Sequence, residues 1–101
     1  MKLITRELLN KFPKIGETSN RKAEEVPIIA KYFCPWNKWT WYATEYDGKD
    51  LFFGFVRGDF NELGYFRLSE LKSIRGMFGL GIERDLYFTK HTLKEVMEKD
   101  Y

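Results

Sequence analysis

The sequence has little of the chemistry on which metalloproteins and disulfide-rich domains depend. Its 101 residues contain one cysteine, Cys34, and one histidine, His91. A single cysteine excludes an intramolecular disulfide, and the two residues together fall short of the ligand set of an ordinary zinc site. We therefore predict no metal and no cofactor. A free thiol is typical of proteins in a reducing compartment.

An excess of charge and long apolar runs are also missing. Seventeen Lys and Arg residues against fifteen Asp and Glu leave a formal net charge of +2, so bulk charge gives no argument for a polyanionic partner. No stretch approaches the roughly 20 apolar residues of a membrane span. Charged residues from Lys2 onward interrupt the start too early for a signal peptide. We expect a cytoplasmic protein without membrane contact.

Aromatic residues are what the sequence has in abundance. They make up 18% of the chain, beside 44% hydrophobic and 32% charged residues. This balance is typical of a folded protein, and the length suits one domain spanning residues 1–101.

Apolar spacing and turn residues predict three helices. The first covers residues 5–12 after a Thr5 cap, and the second begins at a Ser69 cap and ends at Gly76. The third opens at Thr92, which forms a capping box with Glu95. A polar surface loop over 14–25 follows the first helix, and we expect it to be the most mobile segment.

Four strands are predicted between the first two helices, over 26–34, 39–46, 51–57 and 62–68. In strand 39–46, one face carries Trp39, Trp41, Ala43 and Glu45, and the other carries Thr40, Tyr42, Thr44 and Tyr46. A brief extended run over 84–88 precedes the last helix.

Short connections between these strands favour antiparallel pairing. We predict an α+β fold in which a four-stranded antiparallel meander sheet carries three short helices, packed mainly on one face. An exposed edge at 26–34 would allow two copies to pair, so both a monomer and a homodimer stay open.

The aromatic residues also predict a binding surface, because one sheet face can hide only about half of them. The candidate residues are Trp36, Trp39, Trp41, Tyr42, Tyr65, Arg67 and Arg84. Three interpretations stay open: an aromatic-rich core, a protein-binding patch, and a stacking platform for single-stranded nucleic acid.

Three other motifs give weaker signals. The glycine-rich loop over 76–81 lacks the order of a phosphate-binding loop, and its apolar residues predict that it tucks into the core. Arg84 lies between Glu83 and Asp85, and neighbouring carboxylates are expected to hold it in place, with anion binding as the alternative. Acids near the hairpin ends could support metal-dependent hydrolysis; they are Glu45, Asp47, Asp50, Asp59 and Glu62.

Several blocks of the sequence resemble a small bacterial family, domain of unknown function 2958. They are LITREL (3–8), WTWYATEYDG (39–48), FFGFV (52–56), ELGYFRLSEL (62–71) and IERDLYF (82–88). The resemblance implies a cytoplasmic domain that plasmids, phages and other mobile elements often carry. It implies no known activity, so it assigns no catalytic residue.

Together these observations predict a small non-enzymatic binding protein that engages a host macromolecule, in the first place a protein. The mobile-element context of the family suggests an inhibitor of host defence such as restriction or CRISPR. Two alternatives stay open: a nucleic-acid-binding module that uses the sheet aromatics, and a small metal-dependent hydrolase.

Overall fold

Five strands form one antiparallel sheet in the computed structural model, which describes residues 1–101. The strands are β1 (Ala30–Phe33), β2 (Thr40–Tyr46), β3 (Leu51–Arg57), β4 (Asn61–Arg67) and β5 (Glu83–Arg84). Their order across the sheet is β4-β3-β2-β1-β5. The helices are α1 (Arg6–Lys11), α2 (Leu68–Ser73) and α3 (Leu93–Glu98), and none has the length and apolar character needed to cross a membrane.

Two of the three predicted helix caps are confirmed. Thr5 Oγ1 accepts a hydrogen bond from the Leu8 amide at 3.2 Å, and Thr92 forms a reciprocal capping box with Glu95. The predicted Ser69 cap is wrong. The Glu70 carboxylate accepts from the Arg67 amide at 3.0 Å, so α2 begins directly where β4 ends and no linker separates the two elements.

The prediction of four strands is wrong by one strand. Glu83 and Arg84 pair with Phe33 and Tyr32, and Asp85 N–H donates to the Lys31 carbonyl at 2.9 Å. Of the expected extended run over 84–88, only Arg84 belongs to this strand, which begins one residue earlier at Glu83. Because β5 covers the outer side of β1, the predicted free edge at 26–34 is also wrong. The edge strands are β4 and the two-residue β5, so the long free edge belongs to β4.

The helices divide between the two sheet faces, so the prediction that they pack mainly on one face is only partly right. A cluster of thirteen buried residues combines sheet residues such as Tyr32 and Phe52 with Leu8 of α1 and Leu71 of α2. A second cluster of six places Leu93 and Val96 of α3 against Tyr42 and Phe55, together with Val26 and Ile28. We call these the α1/α2 face and the α3 face.

A β-bulge at Thr44 reverses the predicted alternation in the second half of β2. Ala43 pairs with Gly54 and Glu45 pairs with Phe53, so Thr44 is an extra residue in the ladder. Tyr46 therefore joins Trp41 and Ala43 on the α1/α2 face. Glu45 lies on the α3 face, whereas a strict alternation would have put it on the α1/α2 face among apolar side chains.

Candidate interaction surface

Two of the predicted surface residues are buried. Trp41 is 7% exposed and belongs to the α1/α2 face, and Tyr42 is fully covered on the α3 face. The Tyr42 hydroxyl donates to Asp100 at 3.2 Å. Burial, followed by the nearby Asp100 carboxylate, raises the pKa of Tyr42 to about 12. Both residues stabilise the fold, and placing them in a binding surface was wrong.

Trp36 is exposed and Trp39 is half-buried, and each ring lies against a glycine. A Cβ added to Gly76 would lie 2.5 Å from the Trp36 ring, and one added to Gly58 would lie 2.4 Å from the Trp39 ring. These glycines are there because no other residue allows the ring to approach the backbone so closely. The two tryptophans line a cleft of about 340 Å³ together with Arg75.

Tyr65 and Arg67 lie exposed on β4, as predicted. Tyr65 is 63% exposed, and its neighbour Leu63 on the same face is 46% exposed. The Tyr65 ring meets Phe53 edge to face, with ring centroids 5.1 Å apart. Phe53, Leu63 and Tyr65 form an open apolar surface on the α3 face, which we call the β4 strip. Arg67 closes one end of it and pairs with Asp50 at 3.6 Å.

A groove of about 350 Å³ runs beside the β4 strip. Its other walls are Leu93 and Met97 of α3 and the loop over 14–25, which contributes Arg21. The groove therefore has an apolar floor and a cation on its rim, which is the composition of many protein interfaces.

The Glu45 carboxylate anchors the loop that forms one wall of this groove. It accepts hydrogen bonds from the Gly16 amide at 2.8 Å, the Thr18 amide at 2.9 Å and the Thr18 hydroxyl at 2.5 Å. Burial would raise the pKa of Glu45, but these three bonds outweigh it and hold the pKa below its ordinary value. The expectation that residues 14–25 form the most mobile segment ignored this anchor.

Arg84 does not bind the neighbouring carboxylates, which corrects the expected structural role. Its guanidinium forms no ion pair, and its Nε is buried without a hydrogen-bond partner. Asp85 instead pairs with Lys31 at 3.6 Å and accepts from the Tyr87 amide. The triplet over 83–85 therefore does not act as a unit.

Two of the turn acids, Asp47 and Asp50, serve as hydrogen-bond acceptors. Asp47 accepts from the amides of Lys49, Asp50 and Leu51, and these bonds lower its pKa. Asp50 accepts from the amide and hydroxyl of Ser69, which lowers its pKa as well. No group of three or more His, Cys, Asp or Glu side chains lies together in a way that could hold a metal ion.

Sequence reasoning missed part of the exposed apolar surface. The loop over 76–81 does not tuck into the core, because Phe78 is 96% exposed and Met77 is also exposed; only the following Ile82 is buried. Phe60 at the β3–β4 turn and Leu63 of the strip were not among the candidates. The Gly58-Asp59 turn was the available signal for Phe60, since a residue at a hairpin tip has few neighbours.

The comparisons with known proteins give a family and no activity. No curated protein and no solved structure matches the chain. One family model, described as a protein of unknown function (DUF2958), matches residues 3–99. Since this match covers nearly the whole sequence, the chain belongs to the DUF2958 family.

Proposed function

We propose that this protein is a small non-enzymatic binding protein that engages a host protein through the β4 strip. In the context that the family resemblance suggests, it is an accessory protein of a mobile element that inhibits a host defence such as restriction or CRISPR. The observation behind the proposal is the exposure of Leu63 and Tyr65 side by side on a sheet face that α3 covers elsewhere.

The composition of this surface favours a protein partner. Tyrosine and arginine are enriched among the residues that dominate protein–protein binding energy, and Tyr65 and Arg67 are adjacent on the same face. The net charge of +2 is too small to favour a polyanion through bulk attraction. Contiguous exposed apolar groups with a polar rim are typical of interaction sites.

The roles of the acidic residues support a function without catalysis. Glu45 anchors a loop, Asp50 holds the start of α2, and Glu70 and Glu95 complete helix caps. A carboxylate whose oxygens accept several fixed hydrogen bonds is held in its ionised form and is a poor general acid.

Affinity capture from nuclease-treated bacterial lysate tests the proposal, with Tyr65→Ala as the test variant. Tyr87→Ala is the matched control, because Tyr87 is 90% exposed and lies outside the strip. We expect a host protein that binds the wild type and the control but is lost, by roughly tenfold or more, with Tyr65→Ala. Equal capture by both variants, or no specific capture by the wild type, would contradict the proposal.

The cleft of Trp36, Trp39 and Arg75 supports nucleic-acid binding as a second candidate function. Arg75 forms no ion pair, and its guanidinium donates to the carbonyls of Lys72 and Ile74. No carboxylate neutralises its positive charge, which lies beside two partly exposed indole rings. Single-stranded oligonucleotides should then shift in electrophoresis at low salt and be released as salt rises. Arg75→Gln should weaken the electrophoretic shift. If the wild-type protein gives no shift at low salt, this candidate function is removed.

A further inference from the structure

One edge of the sheet has backbone groups without partners. β4 is the last strand in the order β4-β3-β2-β1-β5, and no helix or loop forms a ladder on its outer side. We infer that β4 pairs in antiparallel fashion with β4 of a second copy of this chain, which joins the two sheets across a twofold axis. This inference does not depend on the proposed host partner.

The hydrogen-bond register identifies the free groups. The Leu68 amide donates to the Asp50 carbonyl at 2.8 Å, and Leu51 is opposite Arg67. Hydrogen-bonding groups of successive residues alternate between the two sides of a strand. The even-numbered residues of β4 therefore face β3, and the odd-numbered ones face outward.

Three outward residues remain open for a second strand. The Arg67 amide already donates to Glu70, which leaves both backbone groups of Asn61, Leu63 and Tyr65 unpaired. Exposed strand edges of this kind are templates for pairing with another chain. β4 contains no proline and no lysine, the residues that most often block such an edge.

The side chains select one antiparallel register. With Gly64 on the twofold axis, Leu63 faces Tyr65 of the second copy and Tyr65 faces its Leu63. Aliphatic–aromatic cross-strand pairs of this kind stabilise a sheet. Asn61 then faces Arg67 of the second copy, so no like charges stand opposite each other. A register with Leu63 on the axis would instead put Asn61 against Tyr65.

The same register explains why a second copy fits this edge. The favourable pair forms twice, once on each side of the axis, which is the property of an isologous interface. Gly64 leaves the axis open, since a Cβ added there would meet nothing within 4 Å. Because side chains keep their faces in such a pairing, the two β4 strips become one continuous apolar surface.

Sedimentation of the purified full chain over a wide concentration range tests the inference. The average mass should rise from 12.1 kDa towards twice that value, because one pair of strands makes a small interface that associates weakly. Hydrogen exchange at the Leu63 and Tyr65 amides should slow as concentration rises. A monomer at every concentration would overturn the inference and leave the edge to a strand of another protein.

Charge variants at Gly64 test the register itself. Gly64→Asp and Gly64→Lys should each stay monomeric, because two like charges meet across the axis. An equal mixture of the two should associate again, because opposite charges then face each other. Tyr87→Lys is the control and should dimerise like the wild type. Dimers that persist in either Gly64 variant alone would refute the pairing, and so would a mixture that stays monomeric. Thermal melting is the control that the variants are folded.

Discussion

Replacing Glu45 by glutamine should destabilise the protein strongly, although the two side chains have nearly the same shape. The carboxylate accepts three hydrogen bonds from Gly16 and Thr18. An amide has one oxygen that can accept the two bonds from Thr18. Its NH₂ group would then face the Gly16 amide, which is also a donor.

The magnitude follows from this count of hydrogen bonds. Bonds to a charged group contribute about 1.5–3 kcal/mol each, and neutral bonds about 0.5–1.5 kcal/mol. Glu45→Gln turns three charged bonds into two neutral ones and leaves the Gly16 amide facing a second donor. After allowing for the lower cost of burying a neutral amide, we expect a loss of about 3 kcal/mol. For a domain of this size, that lowers the melting temperature by about 12–24 °C.

The pH dependence gives the prediction a second, independent test. Since the pKa of folded Glu45 lies below its ordinary value of 4.5, its contribution to stability is complete above pH 4.5 and is lost as pH falls through the folded pKa. The difference in stability between wild type and Glu45→Gln should therefore shrink in acid.

Thermal melting at neutral pH and again in acid measures both effects. Glu62→Gln is the matched control, because Glu62 is exposed on β4 and accepts no hydrogen bond within the molecule. A change below about 1 kcal/mol for Glu45→Gln would refute the reasoning. A difference from wild type that stays the same as the pH falls would refute it too.

Three further predictions follow from close contacts and burial. Gly54→Ala should lower the free energy of unfolding by about 3 kcal/mol, because the added Cβ would lie 1.9 Å from the Tyr42 carbonyl oxygen. Gly64→Ala is the control for thermal melting, because a Cβ there meets open space. Equal melting temperatures of the two variants would contradict the clash. Gly58→Ala should displace the Trp39 ring, at a cost of about 1–3 kcal/mol, and shift tryptophan fluorescence to the red; an unchanged spectrum would show that the ring does not depend on this glycine. Burial raises the pKa of Tyr42 to about 12 from the 10.0 of a free tyrosine, so the stability of the fold should fall as pH rises from 10 through 12. Ultraviolet absorbance should show that this tyrosine ionises later than the others. Complete ionisation of all tyrosines near pH 10 without unfolding would contradict the prediction.

The sequence predicted β2, β3, β4 and the starts of α1 and α3 well, because these features depend on neighbouring residues. The first strand was predicted to begin four residues too early, and α2 ends at Ser73 rather than at Gly76. The Asp47-Gly48 turn sets where β2 ends and β3 begins, and a cap such as Thr92 acts within one helical turn. The α+β class and the antiparallel pairing followed from the short connections. These are local signals that the rest of the fold reinforces.

The features that were wrong depend on distant partners. The bulge at Thr44 has no signature in the neighbouring sequence. It is favourable because it brings Glu45 to Gly16 and Thr18, which are 27 to 29 residues away. It also places the Tyr46 ring against Phe52, with ring centroids 4.4 Å apart. Likewise, β5 has only two residues, too short for any periodicity to reveal. Without β5, the wrong edge of the sheet appears free.

The same limit explains why only part of the candidate surface was correct. Trp41 and Tyr42 are adjacent on a central strand, so each sheet face buries one of them. Tyr65 is exposed because its strand is at the edge, and strand order is a tertiary property. Composition predicted that some aromatic residues would remain outside, but it could not identify which ones.

The β4 strip is open because α3 is short and Arg57 fixes its end. The Arg57 guanidinium donates to the carbonyls of Val96 and Met97 and lies over the Phe55 ring at 5.3 Å. A cation at the carboxyl end of a helix is favourable, because unpaired carbonyls there carry partial negative charge. This contact places the last turn of α3 over Phe55. Phe53 and Tyr65 lie further along the sheet, where α3 forms only the opposite wall of the groove. The arginine that completes the core on this face therefore also helps to determine which part of the face stays accessible.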